Sequence, residues 1–310
     1  MIEILLRLPT KSIARCRCVS KYWSAILNRT DFTEFFMARS QARPQILFFF
    51  PKSDFFFFLT PHVQNKSPLV AKNHIKLPIG GSYQILGPVR GFVCLRIGTK
   101  ETVLSTIYNL STGQAIHLPN VKTSSNNFVK SYFGFDPIDK QFKVLSITTT
   151  QAGVSDEHQA LTLGTPNLSW RTAVSMRPLI NAIVGFDVKS KKLRIVNKAV
   201  DMVLWSGSTL VNYKGRLDAE KHEWSKHLYV LPPLWKNVVP ESELYFVGMT
   251  GKDEIVLSKL YLSDPFYVYY YNIQGNTVTR VEIQGMGAFK NTRVHASLDH
   301  VEDVKLMQHV

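Results

Sequence analysis

Side chains that could bind a metal ion are concentrated near the carboxyl end of this 310-residue chain. In the stretch HASLDHVEDVKLMQH, His295, Asp299, His300 and Asp303 could in principle approach one metal ion. Imidazole and carboxylate groups bind transition metals, but zinc ligands usually stand at short, regular spacings that this stretch lacks. Its apolar and polar residues alternate as they do in a β-strand. We therefore predict a terminal strand that joins an amino-terminal sheet and closes a ring, with no metal ion and no other cofactor.

The three cysteines, Cys16, Cys18 and Cys94, do not suggest a metal site either. On a helix the side chains of Cys16 and Cys18 would point about 200° apart, because each residue adds roughly 100°. Three cysteines cannot form a disulfide framework, which indicates a reducing compartment. We predict buried structural thiols and a location in the cytoplasm, the nucleus or both.

Two stretches resemble catalytic motifs only superficially. Just before VGMTGKDE, Phe246 stands where a phosphate-binding loop needs its first glycine, and Asp253 stands where the loop needs Ser or Thr. The stretch WSGSTL lacks the Gly-x-Ser-x-Gly pattern that exposes a nucleophilic serine. We therefore predict no catalytic residues and a protein that is not an enzyme. A carbohydrate-processing enzyme stays a third alternative, because fold alone cannot exclude it.

The charge and the apolar stretches predict neither nucleic acid nor membrane as a partner. The formal net charge is +14, but the densest basic group, KSKKLR at 189–194, has the pattern of a solvated hairpin tip. No known nucleic-acid-binding motif accompanies it. The longest aromatic stretch, ILFFFPKSDFFFFL, is divided at 51–54 into pieces much shorter than the roughly 20 residues of a membrane span. It predicts two buried strands around a turn.

The amino-terminal residues of the chain are predicted to form three short helices. Apolar residues at helical spacing mark the first, and Pro9 ends it because a residue before proline avoids the α region. The second begins near Thr10 or Ser12, whose side-chain oxygens could cap it, and Ser20 is predicted to cap the third. Their apolar residues are Ile2, Ile4, Leu5, Leu8, Ile13, Cys16, Val19, Trp23, Ile26 and Leu27. Helices this short need a covering surface, from the rest of the chain or from a partner.

The remainder of the chain contains repeated β-hairpin signals. An aromatic residue followed by Asn or Asp stands beside a turn signal four times: Tyr108-Asn109, Phe135-Asp136, Phe186-Asp187 and Tyr271-Asn272. Two of these lie in similar segments, GFDPIDKQFKVL and GFDVKSKKLRIV, which begin 51 residues apart. Trp170 and Trp224 each open a predicted strand after a polar turn. A period near 50 matches a kelch-type blade and predicts an irregular β-propeller of about five or six blades, with a β-sandwich as the alternative.

These residues also carry a resemblance to a known family. The stretch EILLRLPTKSIARCRCVSKYWSAIL resembles the F-box, the helical segment that docks onto the Skp-type adaptor of cullin-RING ubiquitin ligases. The rest is similar to the plant F-box-associated domain of type 3, in GFVCL, STGQAIHLPNV, YFGFDPIDKQFKVL, EHQALTLGT, EWSKHLYVLPPLW, PFYVYYYN and LDHVEDVKLM. The F-box is expected to be shortened at its amino end. Strands usual in the family are absent between Pro178 and Val184 and between Gly215 and His222.

The resemblance implies a mainly β protein with an irregular, kelch-like β-propeller domain at 41–310, preceded by a small α-helical F-box at 1–40. It implies that the F-box binds the Skp-type adaptor, and through it the cullin and RING subunits, while the β-domain binds an unidentified target protein. The expected function is substrate recognition for the ligase; the alternative is an interaction scaffold without ligase coupling. The adaptor-binding residues that it implies are Ile4, Leu5, Leu8, Pro9, Ile13, Cys18, Val19, Trp23 and Ile26.

Overall fold

A computed structural model describes residues 2–62, 68–78, 83–98, 102–122, 128–149, 155–165, 167–172, 183–187, 192–196 and 244–305. The chain divides into two compact units, and each is assembled from separate stretches of sequence. One unit comprises Met1–Ser40, Gly80–Lys198 and Glu302–Val310, and the other comprises Gln41–Ile79 and Ala199–Val301. No helix within the described ranges has the length and apolar character needed to cross a membrane.

The described residues begin with four helices: α1 (Ile2–Leu5), α2 (Thr10–Arg17), α3 (Lys21–Leu27) and α4 (Thr30–Gln41). The first three confirm the sequence prediction, and the Oγ of Ser20 caps α3 by accepting a hydrogen bond from the amide of Trp23 at 3.2 Å. The predicted cap of α2 is wrong. Pro9 occupies the cap position without a side-chain hydrogen bond, since its ring already holds the extended entry to the helix. Helix α4 was not predicted.

Strands account for most of the remaining described residues. In chain order they are β1 (Gln45–Pro51), β2 (Asp54–Pro61), β3 (Leu69–Val70), β4 (Lys72–Pro78), β5 (Tyr83–Val89), β6 (Phe92–Gly98), β7 (Thr102–Asn109), β8 (Ala115–His117), β9 (Val121–Lys122), β10 (Phe128–Asp136), β11 (Gln141–Thr149), β12 (Ser155–Thr162), β13 (Arg171–Thr172), β14 (Ile183–Asp187), β15 (Lys192–Val196), β16 (Leu244–Met249), β17 (Glu254–Lys259), β18 (Tyr267–Asn272), β19 (Thr277–Gln284) and β20 (His295–His300). A short 3₁₀ helix covers Gly287–Phe289. The expectation of a mainly β chain after a small helical segment is confirmed.

The unit that contains β1 has two sheets among its described strands, ordered β20-β1-β2-β4 and β16-β17-β18-β19-β3. The phenylalanine-rich stretch forms the β1–β2 hairpin, as predicted, with Phe49 opposite Phe57. Alternate residues of β1, including Phe48 and Phe50, enter the core of this unit beside Phe266 and Phe289. Phenylalanine suits this position because its ring buries a large apolar area on a pleated surface.

The prediction that a terminal strand joins an amino-terminal sheet is confirmed by β20. This strand pairs antiparallel with β1, placing His295 opposite Phe49 and His300 opposite Gln45. The ring of His295 stacks on that of Phe49, with 4.7 Å between centroids and 5° between planes. The pairing supplies hydrogen-bond partners to an edge of β1 that would otherwise be open.

The unit that contains the helices has three sheets among its described strands. Their orders are β5-β6-β7-β8, with β9 also on β7, then β10-β11-β12-β13, and the pair β14-β15. The indole Nε1 of Trp170, which directly precedes β13, donates a hydrogen bond to the carbonyl oxygen of Pro119 at 2.7 Å. Three predictions lie outside the described residues: the tip of the KSKKLR hairpin, the strand after Trp224 and the two apparent strand gaps.

The repeated aromatic-Asn/Asp pairs end equivalent strands at equivalent turns. Asp136 pairs with Gln141 across the β10–β11 hairpin, and Asp187 pairs with Lys192, at the same spacing, across β14–β15. The Oδ1 atom of Asn109 accepts hydrogen bonds from the amides of Ser111 and Thr112. The corresponding oxygens of Asp136 and Asn272 accept from Ile138 and Asp139, and from Gly275. The repeat therefore encodes one type of side-chain-capped turn.

Candidate protein-binding surface

The four helices enclose a small hydrophobic core of their own. Its buried members are Leu5, Ile13, Leu27, Phe32, Phe36 and Val304, and Ile2, Leu6, Leu8, Cys16, Trp23 and Ile26 pack around them. Each helix contributes at least one buried residue. No helix is longer than 12 residues, so this shared core, and not the individual helices, stabilises the segment.

Large apolar side chains remain on the outside of the same helices. Ile4 is 69% exposed, Val19 68%, Tyr22 65% and Phe35 59%. A shallow groove runs between α1 and α3, lined by Ile2, Glu3, Tyr22, Ile26 and Arg29. Exposed apolar residues concentrated on a segment of this size are typical of a protein-binding surface.

The nine residues predicted to bind the adaptor divide into three groups by exposure. The exposed group is Ile4, Pro9, Cys18 and Val19; the half-buried group is Leu8, Trp23 and Ile26; the buried group is Leu5 and Ile13. The first two groups have surface that a partner can touch. Leu5 and Ile13 lie inside the helical core, so they can affect a partner only by supporting the helices.

Three residues of this helical segment and its core were not predicted. Tyr22 and Phe35 are exposed apolar residues on α3 and α4, and Val304 completes the core from the other end of the chain. Tyr22 could have been identified, because it stands beside Trp23 and so faces away from the buried side of α3. Val304 could not, because no local pattern joins residues so far apart.

The surface of the helices is predominantly basic. Residues 1–40 contain seven Lys or Arg and three Asp or Glu. Two of the acidic side chains are held in ion pairs, Asp31 with Arg29 at 2.6 Å and Glu34 with Lys140 at 2.8 Å. These partners lower the pKa of both carboxyl groups. Besides the ion-paired Arg29, the exposed basic residues are Arg7, Lys11, Arg15 and Lys21, so the helical segment best suits a partner with an acidic face.

Three of the four tail residues that could have bound a metal ion, His295, His300 and Asp303, have other contacts in the structure. His295 stacks on Phe49, and the ring of His300 lies in a buried position with its centroid 6.3 Å from that of His74. The Oδ1 of Asp303 accepts a hydrogen bond from the amide of Lys305 at 2.7 Å. Across the described part of the chain, no three His, Cys, Asp or Glu side chains are placed to hold one metal ion.

Comparison with known protein families gives two matches that together cover most of the chain. The F-box domain model matches residues 1–35. The model described as the F-box associated beta propeller domain matches residues 45–179 and 218–301.

Whole-chain comparison gives relatives that match this chain over nearly its full length. The F-box protein DOR of Arabidopsis thaliana is 43% identical, over 99% of this chain and 92% of its own length. Two further F-box proteins of that plant are 38% and 40% identical over 99% and 100% of this chain, covering 81% and 90% of their lengths.

Proposed function

The chain belongs to the F-box proteins that carry an F-box-associated β-propeller domain, and on this basis we propose that it is the substrate-recognition subunit of a Skp-cullin-F-box ubiquitin ligase. The helical segment, assigned to residues 1–40, binds the Skp-type adaptor and, through it, the cullin and RING subunits. The β-domain, assigned to residues 41–310, holds a target protein. The propeller-type fold and a general substrate-adaptor role follow from the family.

The observation that supports adaptor binding most directly is the exposed apolar surface of the F-box helices. Ile4, Val19, Tyr22 and Phe35 stay exposed although the same helical segment has a buried core. Such side chains gain roughly 1.5 to 3 kcal/mol each when a partner buries them fully. The surrounding basic residues would orient an acidic partner before contact.

The proposed role requires no catalytic group in this chain. A receptor that holds its target beside a loaded conjugating enzyme raises the effective concentration of the target, and other subunits transfer the ubiquitin. No enzymatic domain was matched alongside the two family models. We accordingly propose a non-catalytic protein of the cytoplasm, the nucleus or both, without a cofactor, a nucleic-acid partner or a membrane association.

A pair of isoleucines with equal exposure provides the test. Ile4 lies on α1 and is 69% exposed, whereas Ile138 lies in the β10–β11 turn and is 68% exposed. Ile4→Asp and Ile138→Asp are compared by calorimetric titration of the purified full chain with a purified Skp-type adaptor. We expect Ile4→Asp to raise the Kd at least tenfold, or about 1.4 kcal/mol, and Ile138→Asp to leave it unchanged.

Two results would contradict the proposal. Equal affinity of Ile4→Asp and the unmodified chain would remove the α1 surface from the interface. Absence of measurable adaptor binding by the unmodified chain would instead favour the alternative, a β-propeller scaffold without ligase coupling.

A further inference from the structure

The F-box helices are completed by a segment from the far end of the chain, Glu302–Lys305, called here the tail segment. Its residue Val304 is 1% exposed and lies in the helical core with Leu5, Ile13 and Phe32. These core partners come from three different helices. The tail segment therefore takes part in the interior of the F-box and does not merely lie on its surface.

The backbone of the tail segment is bound alternately from two sides. The carbonyl oxygens of Asp303 and Lys305 accept hydrogen bonds from Nδ2 of Asn109, at 3.0 and 3.1 Å. The carbonyl oxygen between them, that of Val304, accepts from Nη2 of Arg17 on α2 at 2.5 Å. Since successive carbonyls of an extended chain point in opposite directions, one side of the tail segment faces the helices and the other faces the β7–β8 turn.

The amide groups of the tail segment follow the same alternation. The amide of Glu302 donates to Oγ of Ser40 at the end of α4, at 2.7 Å. The amide of Asp303 donates to Oγ of Ser111 in the β7–β8 turn, at 3.0 Å. The hydroxyl of Thr10, the first residue of α2, donates to Oε1 of Glu302 at 2.8 Å. Helices α2 and α4 and one hairpin turn are thus all bound to four consecutive residues.

Charges within this cluster offset one another. Burial raises the pKa of the Asp303 carboxyl, against the opposing effects of Lys305, Arg90 and Arg17. Burial likewise lowers the pKa of Arg17, whose guanidinium also donates to the carbonyl oxygen of Leu27 in α3. Arg17 therefore connects α2, α3 and the tail segment through one side chain.

Asn109 makes hydrogen bonds to a distant segment that, within the described part of the chain, are not seen for Asp136 or Asn272. Like Asp136 and Asn272 it caps its turn through Oδ1, but its Nδ2 also donates both hydrogen bonds to the tail segment. An aspartate could cap the turn equally well. It could not donate to the carbonyl oxygens, and its second oxygen would face them instead.

We propose that the tail segment is the positioning element of the F-box: it holds α2, α3 and α4 in the arrangement that presents the adaptor-binding surface and fixes them to the β7–β8 turn. The inference rests on the proposed function for its link to adaptor binding, but its structural part can be tested without the adaptor. The positioning residues are Asn109, Arg17 and Val304.

The test uses the full chain with the variant Asn109→Asp and the matched control Asn272→Asp. Both keep the turn-capping oxygen, and only the first removes donors to the tail segment. Amide hydrogen exchange of peptides covering residues 10–41 is measured first, without any partner, because exchange reports local opening of the helices. We expect Asn109→Asp to speed that exchange at least tenfold and Asn272→Asp to leave it unchanged.

Adaptor affinity is measured second, on the same proteins. Asn109→Asp is expected to raise the Kd several-fold although Asn109 belongs to no helix of the F-box, and Asn272→Asp is expected to have no effect. If the unmodified chain does not bind the adaptor, the proposed function fails, and the exchange data still decide whether the tail segment holds the helices.

A second variant covers the case in which Asn109→Asp raises exchange throughout the molecule. Val304→Ala removes two methyl groups from the helical core and leaves every backbone hydrogen bond of the tail segment in place. Faster exchange confined to residues 10–41 is the expected result. The inference would be overturned if the exchange rates of residues 10–41 in Val304→Ala, or in a folded Asn109→Asp, equalled those of the unmodified chain.

Discussion

Lys143 and Asp136 form an ion pair inside the β10–β11 hairpin, with 2.6 Å between Nζ and Oδ2 and only 7% and 1% of their side chains exposed. The other carboxylate oxygen of Asp136 caps the turn. The hydrogen bond from Lys143 is the main reason that the pKa of this carboxyl lies below its usual value. Where the turn residue is an aspartate, a basic residue stands seven places later: Lys143 after Asp136 and Arg194 after Asp187. Where the turn residue is an asparagine, the residue seven places later is uncharged: Ile116 after Asn109 and Thr279 after Asn272.

The difference between aspartate and asparagine turns predicts how stability changes when the Lys143–Asp136 ion pair is broken. Lys143→Met should lower the melting temperature, because it leaves the Asp136 carboxylate buried without its cation. Asp136→Asn together with Lys143→Met should recover most of the loss, since asparagine alone caps the other two turns. Thermal unfolding of the single and double variants measures the coupling. Additive losses in the double variant would contradict the prediction.

His300 predicts a dependence of stability on pH. Burial, assisted by His74, lowers the pKa of His300 to about 3, from 6.5. Below pH 6.5 the unfolded chain therefore binds a proton that the folded chain excludes, so the free energy of unfolding falls as the pH falls from 6.5 towards 3. The contribution of this one residue approaches about 1.4 kcal/mol per pH unit. Burial lowers the pKa of His62 and His295 too, in the same direction.

The measurement is urea unfolding of the unmodified chain and of His300→Leu between pH 7.5 and pH 4.5. Both should lose stability in acid, but the variant should lose less because one excluded proton has been removed. Parallel pH curves for the two proteins would show that His300 is protonated in the folded state.

Ser20 predicts a local effect on the proposed adaptor surface. Ser20→Ala removes the oxygen that accepts from the amide of Trp23, at a typical cost of about 1 kcal/mol to the helix. Helix α3 also carries exposed Tyr22, so adaptor binding should weaken together with faster amide exchange in residues 21–27. Ser20→Asp, which keeps a capping oxygen, should retain exchange close to that of the unmodified chain. Equal exchange in the alanine and aspartate variants would argue against the cap.

Two shortened chains separate the roles of β20 and the tail segment. A chain that stops after Val294 lacks β20 and leaves an edge of β1 unpaired, at a strand rich in phenylalanine. It should aggregate in size-exclusion chromatography, because open apolar edges pair with other chains. A chain that stops after Val301 keeps β20 and should elute as a monomer, with impaired adaptor binding. Identical elution of the two would refute the role given to β20.

Sequence alone predicted the features that depend on neighbouring residues. The β1–β2 hairpin follows from apolar runs on either side of Pro51, and the hairpin turns follow from Asn or Asp after an aromatic residue, although their side-chain caps were not predicted. The cap of α2 was mispredicted because Pro9 occupies the cap position, where its ring favours the extended entry to the helix but offers no side-chain acceptor. The pairing of β20 with β1 came from a general expectation of ring closure, without its register.

Features that depend on distant contacts could not be predicted. The apolar side of helix α4 packs on a core that includes a residue from the far end of the chain. In that core Phe32 and Phe36 lie with Val304. The role of Asn109 as a donor to the tail segment has no local signal, since Asn272 stands in the same motif and, among the described residues, is seen only to cap its turn. The sequence also could not show which of the nine predicted adaptor-binding residues are exposed, and Leu5 and Ile13 are buried in the helical core.

The hydrogen bond between Arg17 and Val304 joins residues 287 positions apart, and this separation bears on the order of events during synthesis. At typical rates of about 5 to 20 residues per second, roughly 15 to 60 s pass between the emergence of the helices and that of their last core residue. During this interval the nascent chain presents an F-box whose interior is unfinished. On the proposed function, a chain terminated before Val304 would therefore bind the adaptor poorly, because its helical core would lack the last residue.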